Sequence, residues 1–418
     1  MTSYPEALKI VLEQINTLEI EEKPLGECLG QVLAEDIYSD YSLPLMDTSG
    51  PDGYAVRSAD IKGAGKNTPA LLNIIEVVRA GVMPKNKVTA GTAIRIMTGS
   101  IVPEGADCVV RFEDTDEPAN KSGPNINNPT KVKIFVDQKS GTNVNKAGKN
   151  IKKGTLVLTK GCVIGPAQFS VLTTIGKNVV KVYRRPVIAV ISTGDELIEP
   201  GQPLTPGKAY DCNTGTVKAL IEHYGGIPKI CEIARDTKES LLATIRKGLS
   251  ADAIITSGGV SKGDYDLVRL ILEQAGKVFL ARINMGPGAS FAFGEYHVQS
   301  KGKTRIVPVF GLSGPPAGCM INFETMVRQA LLKMLGFSNT EHPLIEAIAE
   351  DAMPEKRQMA FVCWTDLRLV NGQYRVRFNL NSEKGPLFSL ANTNSLTIVP
   401  IDGEVKAGDR VQVMPLNW

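Results

Sequence analysis

Short apolar runs alternate with amphipathic helical patterns between Val187 and Gly336. The runs at 187–191, 229–234 and 253–256 predict strands, and the patterns at 214–224, 238–249 and 264–274 predict helices. This alternation is typical of parallel β-α-β units with helices on both faces of the sheet. Ligands bind at the carboxyl ends of the strands in such sheets. We therefore expect the chemistry in the loops that follow these strands.

Strand patterns without long helices lie on both sides of this stretch. Between Asp52 and about Ser140, brief apolar runs are separated by Gly, Pro and Asn, which predicts a small all-β unit. From His342 onward, two strand patterns flank Asn371-Gly372, a dipeptide typical of tight hairpin turns. This favours a small terminal β-barrel or sandwich. The fold class predicted is a multidomain α/β plus β protein.

The composition excludes several classes of protein. A chain of 418 residues with 43% hydrophobic and 22% charged residues is typical of a folded multidomain protein. The net charge of +3 favours neither nucleic acid nor a membrane as a partner, and no apolar run reaches the length of a membrane span. Seven scattered cysteines without a Cys-x-x-Cys pair predict reduced thiols in a cytoplasmic protein.

The loop from Ser257 to Asp266 is the strongest local signal for a binding site. Its two adjacent glycines leave backbone N–H groups accessible, Ser261 adds a hydroxyl, and a helix begins near Asp264. That arrangement suits a phosphate or another oxyanion. A purely structural turn remains an alternative, with Asp264 as the cap of the helix. The loops 282–290 and 309–316 also expose backbone, and rigid loop packing is the alternative for both.

Carboxylates are concentrated at the predicted strand ends. Asp264 and Asp266 would join Asp195, Glu196 and Asp236 around one crevice. Mg²⁺ would allow these carboxylates and a phosphate to share the crevice, because it binds both kinds of oxygen. The chain has no Gly-x-Ser-x-Gly, no Gly-x-x-x-x-Gly-Lys-Ser/Thr and no Gly-x-Gly-x-x-Gly. These absences disfavour a serine hydrolase, a P-loop nucleotidase and a Rossmann dehydrogenase.

Six segments of the chain carry a resemblance to a known family. They are DGYAVR at 52–57, IMTG at 96–99, VPEGAD at 102–107, STGDEL at 192–197, Asn213 in a helix-opening turn, and SGGVSKGDYD at 257–266. In order and spacing, over essentially the full length, the chain resembles the MoeA-type molybdopterin molybdenumtransferases, a family related to the C-terminal domain of gephyrin.

The resemblance implies four domains and a homodimer. Residues 1–48 and 141–180 would form domain I, 49–140 an inserted β domain II, 181–337 a MoaB/MogA-like three-layer α/β domain III, and 338–418 a C-terminal β-barrel domain IV. The active site would lie between the α/β domain of one subunit and the N-terminal domains of the other.

The resemblance also implies an activity. Members bind adenylylated molybdopterin and molybdate as substrates, release AMP and leave the metal on the dithiolene, with the help of Mg²⁺. The expected partners are a second copy of the chain, a MogA-like adenylyltransferase and acceptor molybdoenzymes, with no nucleic acid and no membrane. The expected location is the cytoplasm.

Site residues follow from the family positions. The expected catalytic residues are Asp52, Thr98, Glu196, Asp236 and Asp266, with Asp52 and Thr98 supplied by the second subunit. Asp236 and Asp266 are the expected metal ligands. The expected cofactor-binding residues are Ser192, Thr193, Gly194, Asp195, Asn213, Ser257, Gly258, Gly259, Val260, Ser261, Gly263, Asp264, Pro287, Ser313 and Gly314.

Three segments depart from the family pattern. Gly286 and Ala289 stand where the family has lysines, Ser313-Gly314-Pro315-Pro316 replaces Pro-Gly-Asn-Pro, and Asn150 replaces an acidic residue. Two interpretations stay open. The protein is either a transferase with altered oxyanion recognition, for molybdate or tungstate, or a divergent paralogue that binds molybdopterin or a partner protein without efficient chemistry.

Overall fold

The computed structural model describes residues 1–117, 130–260, 267–300, 303–353, 358–378, 390–401 and 403–417. The α-helices of these residues are α1 (Tyr4–Gln14), α2 (Pro166–Thr174), α3 (Asn213–His223), α4 (Lys238–Gly248), α5 (Leu267–Ala275), α6 (Pro316–Asn322) and α7 (Arg328–Met334). A π-helical segment, Phe323–Val327, connects α6 to α7. None of the helices in the described ranges is long and apolar enough to cross a membrane.

The strands of the first half of the chain are β1 (Ile20–Pro24), β2 (Ile37–Tyr38), β3 (Thr48–Ser49), β4 (Gly53–Val56), β5 (Ala70–Val78), β6 (Thr92–Ile96), β7 (Cys108–Arg111), β8 (Lys131–Ile134), β9 (Val144–Asn145), β10 (Leu156–Leu158), β11 (Val179–Tyr183) and β12 (Val187–Ser192). Those of the second half are β13 (Leu197–Ile198), β14 (Ala209–Tyr210), β15 (Ile227–Ile230), β16 (Ala253–Ser257), β17 (Gly276–Leu280), β18 (Met285–Gly286), β19 (Ala292–Ser300), β20 (Lys303–Leu312), β21 (Ile345–Ala349), β22 (Ala360–Val370), β23 (Gln373–Phe378), β24 (Ser395–Val399) and β25 (Arg410–Pro415).

The chain folds into two compact units. Unit 1 comprises Met1–Glu35, Lys160–Pro166 and Val179–Trp418, and unit 2 comprises Asp36–Thr159 and Ala167–Asn178. The four-domain division expected from the resemblance is finer than this one, and its boundaries stay a prediction.

Unit 2 is built around a five-stranded sheet with the order β7-β4-β6-β5-β8. The two faces of β4 alternate, because Tyr54 and Val56 pack in one apolar cluster and Ala55 in another. This alternation buries both faces of the strand. The small all-β unit predicted from the sequence is confirmed, although part of its polar stretch, 118–129, lies outside the described residues.

Unit 1 contains the predicted α/β sheet, with the strand order β15-β12-β16-β20-β19-β17. Strands β15, β12, β16 and β20 run parallel, whereas β19 is antiparallel to both of its neighbours. The sequence pattern predicted parallel units only. The antiparallel strand arises because the short connection between β19 and β20 leaves room for a hairpin but not for a crossover helix.

Helices cover both faces of this sheet. Ile188 and Val190 of β12 pack in a cluster with residues of α1, α3, α6 and α7. Ala189 and Ile191 point to the opposite face, where they pack with residues of α4 and α5. The predicted three-layer arrangement is therefore confirmed, and it explains why β12 reads as a continuous apolar run.

The C-terminal part of unit 1 is a closed five-stranded barrel. Its strands follow the order β22-β23-β21-β25-β24, and pairing of β24 with β22 closes it. Asn371 and Gly372 connect β22 to β23 with φ values of 51° and 78°. Positive φ at both positions matches the two-residue hairpin turn that this dipeptide favours. The predicted terminal β domain is confirmed as a barrel.

Candidate functional site

A cleft with a volume of about 630 Å³ opens in unit 1 at the carboxyl ends of β12 and β16. Its walls include residues of the segments 193–197, 209–213, 257–260 and 314–316. The cleft therefore lies where ligands bind in parallel α/β sheets. Two of its walls come from loops that the sequence analysis singled out.

Backbone hydrogen bonds continue the sheet into the cleft. The N–H of Thr193 donates to the carbonyl of Ser257 at 2.9 Å, and the N–H of Gly194 donates to the carbonyl of Ala234 at 3.2 Å. On the other side of β16, the N–H of Gly258 donates to the carbonyl of Leu312 at 3.2 Å. These bonds hold the loops beyond the strands in fixed positions.

The glycine turn after β16 requires both of its glycines. Gly258 and Gly259 have φ values of +91° and +67°, a region that other residues rarely adopt. A Cβ at Gly258 would also lie 2.6 Å from the carbonyl oxygen of Thr193. The described part of the predicted anion loop thus forms a tight turn against the end of β12. Its remainder, with the predicted residues Ser261, Gly263, Asp264 and Asp266, lies outside the described residues.

Two of the predicted carboxylates line the cleft. Asp236 is exposed, and its carboxylate accepts hydrogen bonds from the Thr193 hydroxyl at 3.1 Å and the Asp195 N–H at 3.2 Å. Glu196 folds back over the chain, so that a Cβ at Gly194 would lie 2.6 Å from its Oε2 atom. Both side chains border the cleft. Thr193 and Asp195 therefore orient the Asp236 carboxylate.

Oxygen donors of this kind suit a hard divalent cation. Asp236, Glu196 and the Thr193 hydroxyl offer the carboxylate and hydroxyl oxygens that Mg²⁺ prefers. Within the described ranges, however, no three His, Cys, Asp or Glu side chains are grouped as metal ligands. The second predicted ligand, Asp266, falls outside those ranges. The donor type fits Mg²⁺, and the metal role of Asp236 and Asp266 stays a prediction.

Asp211 is a site residue that the sequence analysis missed. Its carboxylate is buried, and it accepts hydrogen bonds from the Ser192 hydroxyl at 2.9 Å and from the Thr214 N–H and hydroxyl at 3.0 and 2.6 Å. Asp three residues before Thr214, at the start of a helical pattern, was a readable capping signal. The contact with Ser192 was not readable, because it depends on how β12 packs against α3.

Asn213 links three segments at the cleft. Its side-chain amide donates to the Ser257 hydroxyl at 2.6 Å and to the Gly314 carbonyl at 2.7 Å. Asn213, Ser257 and Gly314 were all expected at the site from the resemblance, and all three line the cleft. Their shared hydrogen bonds hold α3, the end of β16 and the segment after β20 together.

Two other segments are joined beside the cleft. The Asn322 side chain accepts from the Ser313 N–H at 3.0 Å and donates to the Gly288 carbonyl at 2.8 Å. The Ser313 hydroxyl donates to the Ser290 carbonyl at 3.1 Å. Ser313 is buried and Pro287 is exposed, and neither is among the cleft-lining residues. Ser313 therefore supports the loop that carries Pro287.

Two cysteines near Asn213 are protonated thiols at neutral pH. Burial raises the pKa of Cys319 to about 12. Burial, reinforced by the charge of Asp211, also raises the pKa of Cys212, which lines the cleft. Because both pKa values are raised, neither residue supplies a thiolate to the cleft. A protonated thiol is a weak hydrogen-bond donor and a poor nucleophile.

Asp52 and Thr98 meet in unit 2, as expected for residues with a common role. The Asp52 carboxylate accepts hydrogen bonds from the Thr98 N–H at 2.6 Å and the Thr98 hydroxyl at 2.8 Å. Both residues are exposed, at the ends of β4 and β6. The pair is thus positioned for contact with a ligand or another chain.

Comparison with known proteins agrees with this architecture. A family model described as "MoeA N-terminal region (domain I and II)" matches residues 2–176, and one described as "Probable molybdopterin binding domain" matches residues 189–333. The second match spans the α/β sheet and the cleft. The chain therefore belongs to the class of proteins that contain this type of α/β domain.

Full-length relatives narrow the class. A molybdopterin molybdenumtransferase from Nostoc sp. is 32% identical over 100% of this chain and 94% of its own length. One from Bacillus subtilis is 31% identical over 94% of this chain and 89% of its own length. The crystal structure of a molybdopterin biosynthesis MoeA protein from Pyrococcus horikosii covers 100% of both chains, at 32% identity and a TM-score of 0.83. The chain belongs to the MoeA family of molybdopterin molybdenumtransferases, which are transferases of molybdenum cofactor biosynthesis.

Proposed function

We propose that this protein inserts molybdate into adenylylated molybdopterin and releases AMP, with Mg²⁺ bound at the cleft. The observation that carries the proposal is the pairing, in one cleft, of the glycine turn at Gly258-Gly259 with the carboxylates of Glu196 and Asp236. A glycine turn suits the phosphate oxygens of the substrate, and the carboxylates suit a cation that those oxygens share.

The reaction sets the demands on these residues. Cleavage of a phosphoanhydride builds negative charge on the leaving phosphate, and bound Mg²⁺ would neutralise part of that charge. Asp236 would hold the cation together with Asp266, and Thr193 and Asp195 would keep the Asp236 carboxylate oriented toward it. The hydrogen bonds of Asn213 to Ser257 and Gly314 would hold the three loops of the cleft in fixed positions around the substrate.

A homodimer is part of the proposal. Asp52 and Thr98 of a second subunit would act on the substrate bound in the cleft, as the resemblance implies. Their exposure and mutual hydrogen bonds support a role for the pair at a surface. A MogA-like adenylyltransferase would supply the substrate, and acceptor molybdoenzymes in the cytoplasm would take the product. Light scattering that gives the mass of a monomer at micromolar concentration would contradict the dimer.

The activity itself is tested by incubating the protein with adenylylated molybdopterin, Mg²⁺ and either molybdate or tungstate. We expect release of AMP that depends on both the oxyanion and Mg²⁺. The choice between molybdate and tungstate follows from which of the two gives the faster release. Binding of the substrate without AMP release under any of these conditions would contradict the proposal.

A second candidate is a paralogue that binds molybdopterin or a partner protein without efficient chemistry. The observation that favours it is the neutral loop at Gly286 and Ala289. Gly286 pairs with Phe361 of β22, and a Cβ at this position would lie 2.6 Å from the Met359 sulfur. The Met359 side chain therefore occupies the space that a side chain at 286 would need, and a lysine at this position would have to displace it.

The variant Ala289→Lys separates the two candidate functions. Position 289 is easier to change than position 286, since Ala289 is half-buried whereas Gly286 is buried. If the cleft is a weakened oxyanion site, the variant should bind molybdate about tenfold more tightly, the scale of one charge-assisted hydrogen bond. The gain should shrink at high salt, because ions screen the attraction. Calorimetric titration with molybdate and tungstate measures both effects.

Ala289→Gln is the matched control, because glutamine adds similar bulk without charge. An equal gain in the glutamine variant would show that charge is not the cause. No gain for either oxyanion in the lysine variant would contradict the weakened-site interpretation and favour the paralogue.

A further inference from the structure

The side-chain amide of Asn213 has no hydrogen left to offer a ligand. It has two N–H hydrogens, and the amide nitrogen donates to two partners, the Ser257 hydroxyl at 2.6 Å and the Gly314 carbonyl at 2.7 Å. A carbonyl oxygen accepts only, so the bond to Gly314 fixes which end of the amide is nitrogen. The orientation of the side chain is therefore set by the fold.

The amide oxygen is the part of Asn213 that remains available. Its hydrogen-bond partner in the structure is the thiol of Cys212, with the sulfur 3.8 Å away. A thiol is a weak donor and is easily replaced by a better one. Asn213 is 9% exposed and lines the cleft, so an occupant of the cleft would meet an oriented acceptor in a largely desolvated place.

We propose that Asn213 is a specificity-determining residue that accepts a hydrogen bond from an amino group on the ring system of the substrate. The inference rests on the proposed function, which places adenylylated molybdopterin in the cleft. A ring carbonyl at the same place would bring two acceptor oxygens together, and the amide is unable to turn its nitrogen to a carbonyl ligand without losing both of its own bonds. Rejection of the carbonyl analogue follows from this, because a buried acceptor would be left unpaired.

Two rings of the proposed substrate carry such an amino group, the pterin and the adenine. Each has an analogue with a carbonyl in place of the amino group. For pterin the analogue is lumazine, and for AMP it is inosine monophosphate. Titration of the full-length protein with all four compounds, followed by calorimetry or by pterin fluorescence, shows which ring Asn213 reads.

In the wild-type protein we expect one amino compound to bind about tenfold more tightly than its carbonyl analogue, the scale of one hydrogen bond together with the penalty for an unpaired acceptor. In Asn213→Leu that ratio should fall to within about twofold. A residue that merely supported the cleft would weaken both members of a pair equally and leave the ratio unchanged.

Thr216→Val is the matched control, since Thr216 lies on the first turn of the same helix and is not itself among the cleft-lining residues, its hydroxyl donating along the helix to the backbone carbonyl of Cys212 at 2.9 Å. We expect this variant to keep the wild-type ratio. A wild-type protein that binds both members of each pair equally would overturn this inference and leave the proposed function standing. If neither ring system bound at all, the proposed function would fail together with it. Even if Asn213→Leu fails to fold, equal binding of both members of each pair by the wild-type protein would overturn the inference.

Discussion

Asp236→Ala should slow AMP release by about 10²- to 10³-fold while leaving the fold intact, the range observed when one electrostatic contact to a reacting group is removed. Asp236 is exposed, so its removal leaves no buried charge. The Thr193 hydroxyl and the Asp195 N–H donate to Asp236 at 3.1 and 3.2 Å, and in the variant both would form hydrogen bonds to water instead. Rates of AMP release over a range of Mg²⁺ concentrations measure the loss.

Two further variants show what the Asp236 carboxylate contributes. Asp236→Asn keeps an acceptor for Thr193 and Asp195 but removes the negative charge, so it should be nearly as slow as the alanine variant if the charge holds a cation. Glu239→Ala removes an exposed carboxylate from the first turn of α4 and should have no effect. Full activity of Asp236→Ala at limiting Mg²⁺ would contradict the metal role, and rescue by asparagine would point to loop anchoring instead.

Gly53→Ala should lower the free energy of unfolding of unit 2 by about 3 kcal/mol, at the upper end of the cost of overpacking. Gly53 lies in β4, between β6 and β7, and a Cβ there would be 1.9 Å from the carbonyl oxygen of Val110. The obstacle is backbone, so no rotation of a side chain relieves it. The strands would have to separate and lose hydrogen bonds. Urea unfolding of both proteins measures the difference.

Gly65→Ala is the control for this prediction. Gly65 lies in a turn of the same unit, and the nearest atom to its Cβ would be the Thr68 hydroxyl oxygen at 3.7 Å, an ordinary contact. Its effect should stay within about 0.5 kcal/mol. Unfolding of Gly53→Ala at the same urea concentration as Gly65→Ala would contradict the close approach of β4 to β7 at Gly53. Because Asp52 directly precedes Gly53, the variant should also disturb the Asp52–Thr98 pair.

The sequence predicted those structural elements whose conformation depends on residues adjacent in the chain. The Asn371-Gly372 turn could be predicted because positive φ at two successive positions is a property of those residues themselves. The direction of β19 could not be predicted, because an apolar run indicates a strand but does not specify the neighbour with which it pairs. The three helices predicted in the α/β stretch correspond to α3, α4 and α5, and their described bounds lie within three residues of the predicted ones.

Some residues of the candidate site could likewise be predicted from the sequence, and others could not. The glycine turn, Asp236 and Asn213 were identified from the sequence, because loop composition after a strand and the family motifs are local. Asp211 was missed, since its partner Ser192 lies 19 residues away and reaches it only through the packing of β12 against α3.

By itself, the sequence determined the family, the fold class and the loops that build the cleft, since motifs, hydrophobic periodicity and turn residues are all read along the chain. Only the tertiary structure showed which hydrogen-bonding groups of those residues are already paired within the protein and which remain available to a ligand. The partners of the Asn213 amide, Ser257 and Gly314, are 44 and 101 residues away in the sequence. They reach Asn213 because the order of strands in the sheet places three chain segments side by side. A hydrogen bond between such segments depends on a distance in space that no local pattern encodes.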